Sequence, residues 1–105
     1  MTVASVLRAE GSGRFRIDGA ITIESAPAVL ESGAALLASA GVDAVEVDLS
    51  GLTDFDSAVL GVMFEWTRRT AAGGPRIRYD NLPPKLATLA RLYGVDVLLA
   101  APAQA

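Results

Sequence analysis

Polar and apolar residues alternate strictly through Arg14-Phe15-Arg16-Ile17-Asp18, the two-residue period of a strand with one buried face. Residues 3–9 form another strand-like stretch just upstream. Between them, Glu10-Gly11-Ser12-Gly13 is a turn signal, because glycine reaches positive φ without steric cost. The pair predicts an antiparallel hairpin, with Gly19-Ala20-Ile21-Thr22 ending its second strand. The period then changes. A helix is predicted over residues 25–40, with Pro27 in its first turn, where the missing N–H costs nothing. Val29, Leu30, Leu36 and Leu37 form its stripe, Ala28, Ala34 and Ala35 fill in, and Gly41 stops it. Residues 44–49 return to period two, with Val45, Val47 and Leu49 on one face and Glu46 and Asp48 on the other. A short acidic turn follows, and a second helix is predicted over residues 57–71, broken by Gly73-Gly74-Pro75. Residues 76–80 alternate again. A third helix is predicted over residues 85–93, with Leu86, Leu89, Ala90 and Tyr93 on its apolar face and Gly94 ending it. Residues 95–100 read as a short last strand or a docked tail.

The order is β-β-α-β-α-β-α. Strand–helix–strand repeats imply right-handed parallel crossovers, and the hairpin adds an antiparallel strand. The expected fold is α/β, a single domain over residues 1–105 with an ordered core of about 3–100. Its sheet is mixed and mostly parallel, packed against α-helices on its faces.

Composition narrows the function. Hydrophobic residues make up 51% of the 105, so a packed core is expected, but aromatics are only 6% and alanine is abundant; that core should be thin, with helices close to the sheet. The net charge is −3 and there is no basic run, a poor match for nucleic acid. Cys and His are both absent, which removes thiol nucleophiles, soft-ligand zinc sites and imidazole acid–base chemistry. The lack of disulfides fits a reducing cytoplasm. No apolar run reaches the roughly 18–20 residues of a membrane-spanning helix, and no signal-peptide pattern opens the chain. Any membrane association is expected through a partner, without direct insertion.

The candidate chemistry gathers where the third strand meets the second helix. Asp54 and Asp56, with Asp48 upstream, could bind a hard cation, but an Asp before a helix more commonly caps it, and no metal or cofactor is expected. Ser57 lacks a base, since Lys85 is the only Lys, and Phe55-Asp56-Ser57-Ala58-Val59 lacks the glycines of a nucleophile elbow. No phosphate-binding loop is present. Enzymatic activity is therefore not expected. The Ser57 hydroxyl does sit at the positive end of a helix dipole, where a phosphate or a partner's backbone could dock. Ala58 to Phe64 is an unbroken run of apolar residues and Gly. Val59, Val62, Met63 and Trp66 are assigned inward, with Leu60 at the edge. Ser57, Ala58, Gly61, Glu65 and Arg68 are assigned outward, with Phe64 at the flank. That outward face is small and weakly polar over two turns, and is read as a partner surface.

Three segments resemble the STAS domains, a family typified by antagonists of anti-sigma factors. Val47-Asp48-Leu49-Ser50 through Asp56-Ser57-Ala58 resembles the family's regulatory strand–turn–helix. Gly19-Ala20-Ile21-Thr22 resembles the segment before its first helix. Asn81-Leu82-Pro83 with Leu86, Leu89, Ala90 and Leu92-Tyr93-Gly94-Val95 resembles the closing helix of one branch. That branch, to which Trp66 also points, supplies subunits of phospholipid-transporting ABC systems in Gram-negative bacteria. The resemblance implies a non-catalytic protein that binds the transporter's cytoplasmic ATPase subunit, with Ser57 at the contact and Asp56 beside it. The other reading it implies is an anti-sigma factor antagonist that meets its kinase and is switched by phosphorylation of Ser57. Val59 stands where the family has Gly, a bulk expected to tilt the helix or narrow the approach to Ser57. Ala20, where the family often has Glu, is a milder departure.

Overall fold

The computed structural model describes residues 6–95. Strands β1 (Val6–Gly11) and β2 (Arg14–Ile21) pair antiparallel across the Ser12-Gly13 turn. Gly13 has φ +73°, and a Cβ there would lie 2.8 Å from the Ala44 carbonyl oxygen. Its own carbonyl accepts the Glu46 N–H at 2.8 Å. Glycine thus serves both the turn and the close approach of the hairpin to the next strand. Helix α1 (Ala26–Ala38) leads to β3 (Ala44–Phe55), helix α2 (Ala58–Ala71) to β4 (Arg76–Asp80), and helix α3 (Pro84–Leu92) follows. The sheet order is β1-β2-β3-β4, with β2–β3 and β3–β4 parallel. The mixed sheet and the element order are those expected. The strand or tail expected over residues 95–100 lies, apart from Val95, outside the described residues.

The strands are longer than their hydrophobic patterns. β3 does not end at Leu49; it continues through the supposed acidic turn to Phe55, and β2 continues past Asp18 to Ile21. Pairing bridges two register shifts, Asp18 opposite Gly51 and Ala20 opposite Asp54. The amide freed at the first bulge is answered locally, because Asp48 Oδ1 accepts the Ser50 N–H at 2.8 Å. A Cβ on Gly51 would meet the Asp18 carboxylate and lie 2.5 Å from the Ile17 carbonyl oxygen. Residues that favour turns locally are held in a strand by a neighbour with backbone to pair.

One face of the sheet carries the core. Ile17, Ile21, Val45, Val47, Leu49 and Ile77 are buried against Leu37 of α1, Val59, Met63 and Trp66 of α2, and Leu86 of α3, all in one cluster. The alternate positions carry charge, paired across strands (Asp18 with Arg8, Arg16 with Asp48, Arg78 with Glu46) and along them (Arg16 with Asp18, Arg78 with Asp80). The helices expected on the faces of the sheet therefore pack on one face only among the described residues. The other face is a lattice of ion pairs that needs water.

Two helix faces differ from expectation. On α1, Val29 and Leu37 are buried as the stripe predicts, but Ala28 and Ala35 are exposed, and the buried small residue is Gly33. A Cβ at Gly33 would collide with the Trp66 indole, whose Nε1–H donates to the Leu30 carbonyl at 3.0 Å. α1 and α2 thus meet through a bare backbone and a flat ring. On α3, Leu86 and Ala90 are buried and Leu89 half-buried, but Tyr93 is 60% exposed. The helix ends at Leu92, so Tyr93 lies at its C-cap and not on its apolar face.

Candidate functional site at the start of the second helix

β3 delivers Asp56 and Ser57 to the carboxyl edge of the sheet, the edge where ligands and partners of such folds meet loops and helix starts. Asp56 does the capping: its Oδ1 accepts the Ala58 N–H at 2.9 Å. The Asp56 carbonyl accepts the Val59 N–H at 3.1 Å, and the Ser57 carbonyl accepts the Leu60 N–H at 3.1 Å. The first amides of α2 are thus answered within the chain. An anion could reach the Ala58 amide only by displacing Asp56. Ser57 occupies the N-cap position with no capping bond from its own side chain, and it is exposed.

The outward face of α2 falls where the helical period puts it. Gly61, Phe64 and Arg68 are exposed, while Ala58 and Glu65 are half-buried. Val59, Val62, Met63 and Trp66 face the core. The bulk of Val59 therefore points away from Ser57 and does not narrow the approach to it. Gly61 has nothing within 4 Å of the position its Cβ would take.

The polar end of this face is neutralised internally. Arg68 pairs with Glu65, and Arg69 bridges Glu65 to Glu31 of α1 at 3.0 Å to each. Arg68, and after it Arg69, holds the Glu65 carboxyl down at about 2. Arg69 likewise lowers Glu31, and both arginines are raised in return. Between α1 and α2 lies a groove of about 540 Å³, lined by Ile23, Ala26, Pro27, Leu30, Ala58, Gly61 and Val62, with the Glu31–Arg69–Glu65 bridge at one end.

The carboxylates considered for a cation have separate duties. Asp48 takes the Ser50 amide and the Asn81 Nδ2–H, Asp56 caps α2, and Asp54 is exposed on β3 opposite Ala20. Ile23 was not singled out by the sequence. It is 74% exposed and lines the groove. A continued strand alternation would have put it inward with Ile21, but the chain leaves β2 at Thr22.

A four-stranded mixed sheet with helices on one face, and a strand running into an Asp-Ser helix start, define a STAS domain. Residues 4–100 match the family described as "Mlab, STAS domain", and the chain belongs to that family. Among solved structures it is similar to SpoIIAA, an anti-sigma factor antagonist and Bacillus cell fate determinant. The unphosphorylated form is 15% identical over 85% of this chain and 83% of that one, with a TM-score of 0.63. The phosphorylated form is 16% identical over 88% and 85%, with a TM-score of 0.64. A crystal structure of Mglu is similar at 24% identity and a TM-score of 0.54, over 74% of this chain but only 19% of Mglu, so the chain spans about a fifth of that protein. At these identities the likeness is one of fold. No curated protein matches the chain. No helix among the described residues is long and apolar enough to cross a membrane.

Proposed function

We propose that this protein is a non-catalytic STAS subunit that binds and regulates the cytoplasmic ATPase subunit, MlaF-like, of a phospholipid-transporting Mla-type ABC transporter. In this role it serves outer-membrane lipid asymmetry, acts as one domain, and sits in the cytoplasm at the inner membrane, held there by the partner complex. The family match supports the branch. The observation that carries the contact face is Gly61. Glycine inside a helix costs about 1 kcal/mol relative to Ala, and the fold leaves room for a side chain there. A partner backbone approaching α2 closely gives that glycine a reason. Ser57, Asp56, Ala58, Gly61, Phe64, Glu65 and Arg68 form the proposed face.

The test is capture of the ATPase subunit by purified protein. Ser57→Arg and Gly61→Arg are expected to abolish capture, while Ser57→Arg changes stability by only about 0.5 kcal/mol, as for an exposed surface site, and Gly61→Arg raises it, since a helical glycine is replaced. Normal capture by both variants, neither of them melting below wild type, would show that this face is not the interface. The second reading, an antagonist toggled by a kinase at Ser57, is supported by the exposed hydroxyl and the fold likeness to SpoIIAA. Stoichiometric phosphorylation by a kinase from the same operon, without ATPase capture, would favour it.

A further inference from the structure

The Asp56 carboxylate has partners on two different elements. Oδ1 accepts the Ala58 N–H at the start of α2, and Oδ2 accepts the Ile23 N–H at 3.0 Å in the loop between β2 and α1. The Asp56 N–H itself donates to the Ile21 carbonyl at 3.3 Å. Ile23 shares one groove with Ala58 and Gly61, so a protein that closes on the α2 face meets Ile23 as well. Glu24, Asp54 and Asp56 form no ion pair among the described residues. This edge is acidic, and the partner surface it fits carries Lys or Arg beside an apolar recess.

We infer that Asp56 is the positioning residue of this surface and Ile23 its second anchor: one carboxylate fixes the Ile23 loop against the α2 face. The inference rests on the reading of α2 as the contact face for the ATPase subunit. Residue type supports it. Ser or Thr would cap a helix equally well, but the two amides here lie on separate elements and each is taken by its own oxygen of one side chain. A carboxylate supplies both oxygens, and Asn offers only one acceptor and a competing donor.

Amide hydrogen exchange of the isolated protein tests the clamp without any partner. Asp56→Ala is expected to speed exchange at Ile23 by about tenfold or more, the factor for losing a hydrogen bond to a charged acceptor. Asp56→Asn is expected to loosen Ile23 or Ala58 but not both. Unchanged exchange at the core strand residues Val47 and Leu49 shows that each variant is folded. An Ile23 amide indifferent to Asp56→Ala overturns the clamp. Capture of the ATPase subunit is expected to weaken in Ile23→Ala and as salt rises. Equal capture by Ile23→Ala overturns the anchor. If the exchange results hold but wild type captures no ATPase, the proposed function fails and the clamp stands.

Discussion

Replacing Gly33 with Ala measures how tightly α1 and α2 are closed. Inside a helix this change ordinarily gains about 0.8–1.0 kcal/mol, because glycine has more backbone freedom to lose. At residue 33 the new Cβ falls onto Cζ2 of Trp66 and 2.7 Å from its Cε2. The indole cannot retreat freely, since it is fully buried and its Nε1–H is bonded to the Leu30 carbonyl. Overpacking a filled core costs about 1–3 kcal/mol, and drawing the ring off Leu30 forfeits about 1 kcal/mol more. Set against the helix gain, the net loss is about 1–3 kcal/mol. Each kcal/mol moves the melting temperature of a chain this size by about 4–8 °C, so a drop of about 5–20 °C is expected. Urea unfolding followed by the fluorescence of Trp66, the sole Trp, reads the contact directly. Adding Trp66→Phe to Gly33→Ala makes room for the methyl, so the two losses are expected to be less than additive in a double-mutant cycle followed by circular dichroism. A Gly33→Ala variant as stable as wild type would show that the helices can part here without cost, and would refute the reasoning.

Gly61→Ala is expected to do the opposite, raising stability by about 0.8–1.0 kcal/mol in the same urea assay, because its Cβ enters open space; a loss would mean the helix needs glycine there. Tyr79→Phe removes the O–H that donates to the Met63 carbonyl at 2.7 Å, while Thr67 Oγ1 still reaches that oxygen at 2.9 Å. The expected cost is about 1 kcal/mol, and no loss in urea unfolding would mean that Thr67 suffices. Glu65 has its folded-state pKa lowered from the ordinary 4.5 to about 2 by Arg68 and Arg69. Its ionised form therefore favours the fold: the contribution is fully present above pH 4.5 and is lost as pH falls through about 2. The melting-temperature difference between wild type and Glu65→Gln is expected to hold above that window and shrink within it; a difference that stays constant down to pH 2 would contradict the pairing.

Most of the architecture was legible because the hydrophobic periods change where the elements change. Arg14 to Asp18 and Arg76 to Asp80 alternate on sheet faces that are in fact buried and charged in turn. What the period could not see was pairing. Ser50-Gly51-Leu52-Thr53-Asp54 carries turn-forming residues, and only the backbone of β2 alongside keeps it extended. Nor does a helical stripe reveal that Gly33 is buried and Ala35 exposed, because both are small and the choice is made by the Trp66 ring across the interface. The single-faced sheet escaped for a similar reason. Arg8, Arg16, Glu46 and Arg78 read as ordinary solvent positions one strand at a time, and only the register joins them into a face that no helix covers among the described residues.

At the candidate site, the sequence placed Ser57 and the outward residues of α2 but missed Ile23, which strand alternation would have buried. Gly33 and Gly61 both lie inside helices, each at a local cost of about 1 kcal/mol. The structure separates them. Gly33 is accounted for by the fold, since a side chain there would strike Trp66. Gly61 is not, since a side chain there would strike nothing. Gly61 shares its groove with the exposed Ile23, and the loop that carries Ile23 is tied by one carboxylate to the residue after Ser57. A cost that the isolated domain has no use for is best placed where a second molecule completes the packing, which is why Gly61 and not the Ser57 hydroxyl carries the argument for a partner at this face.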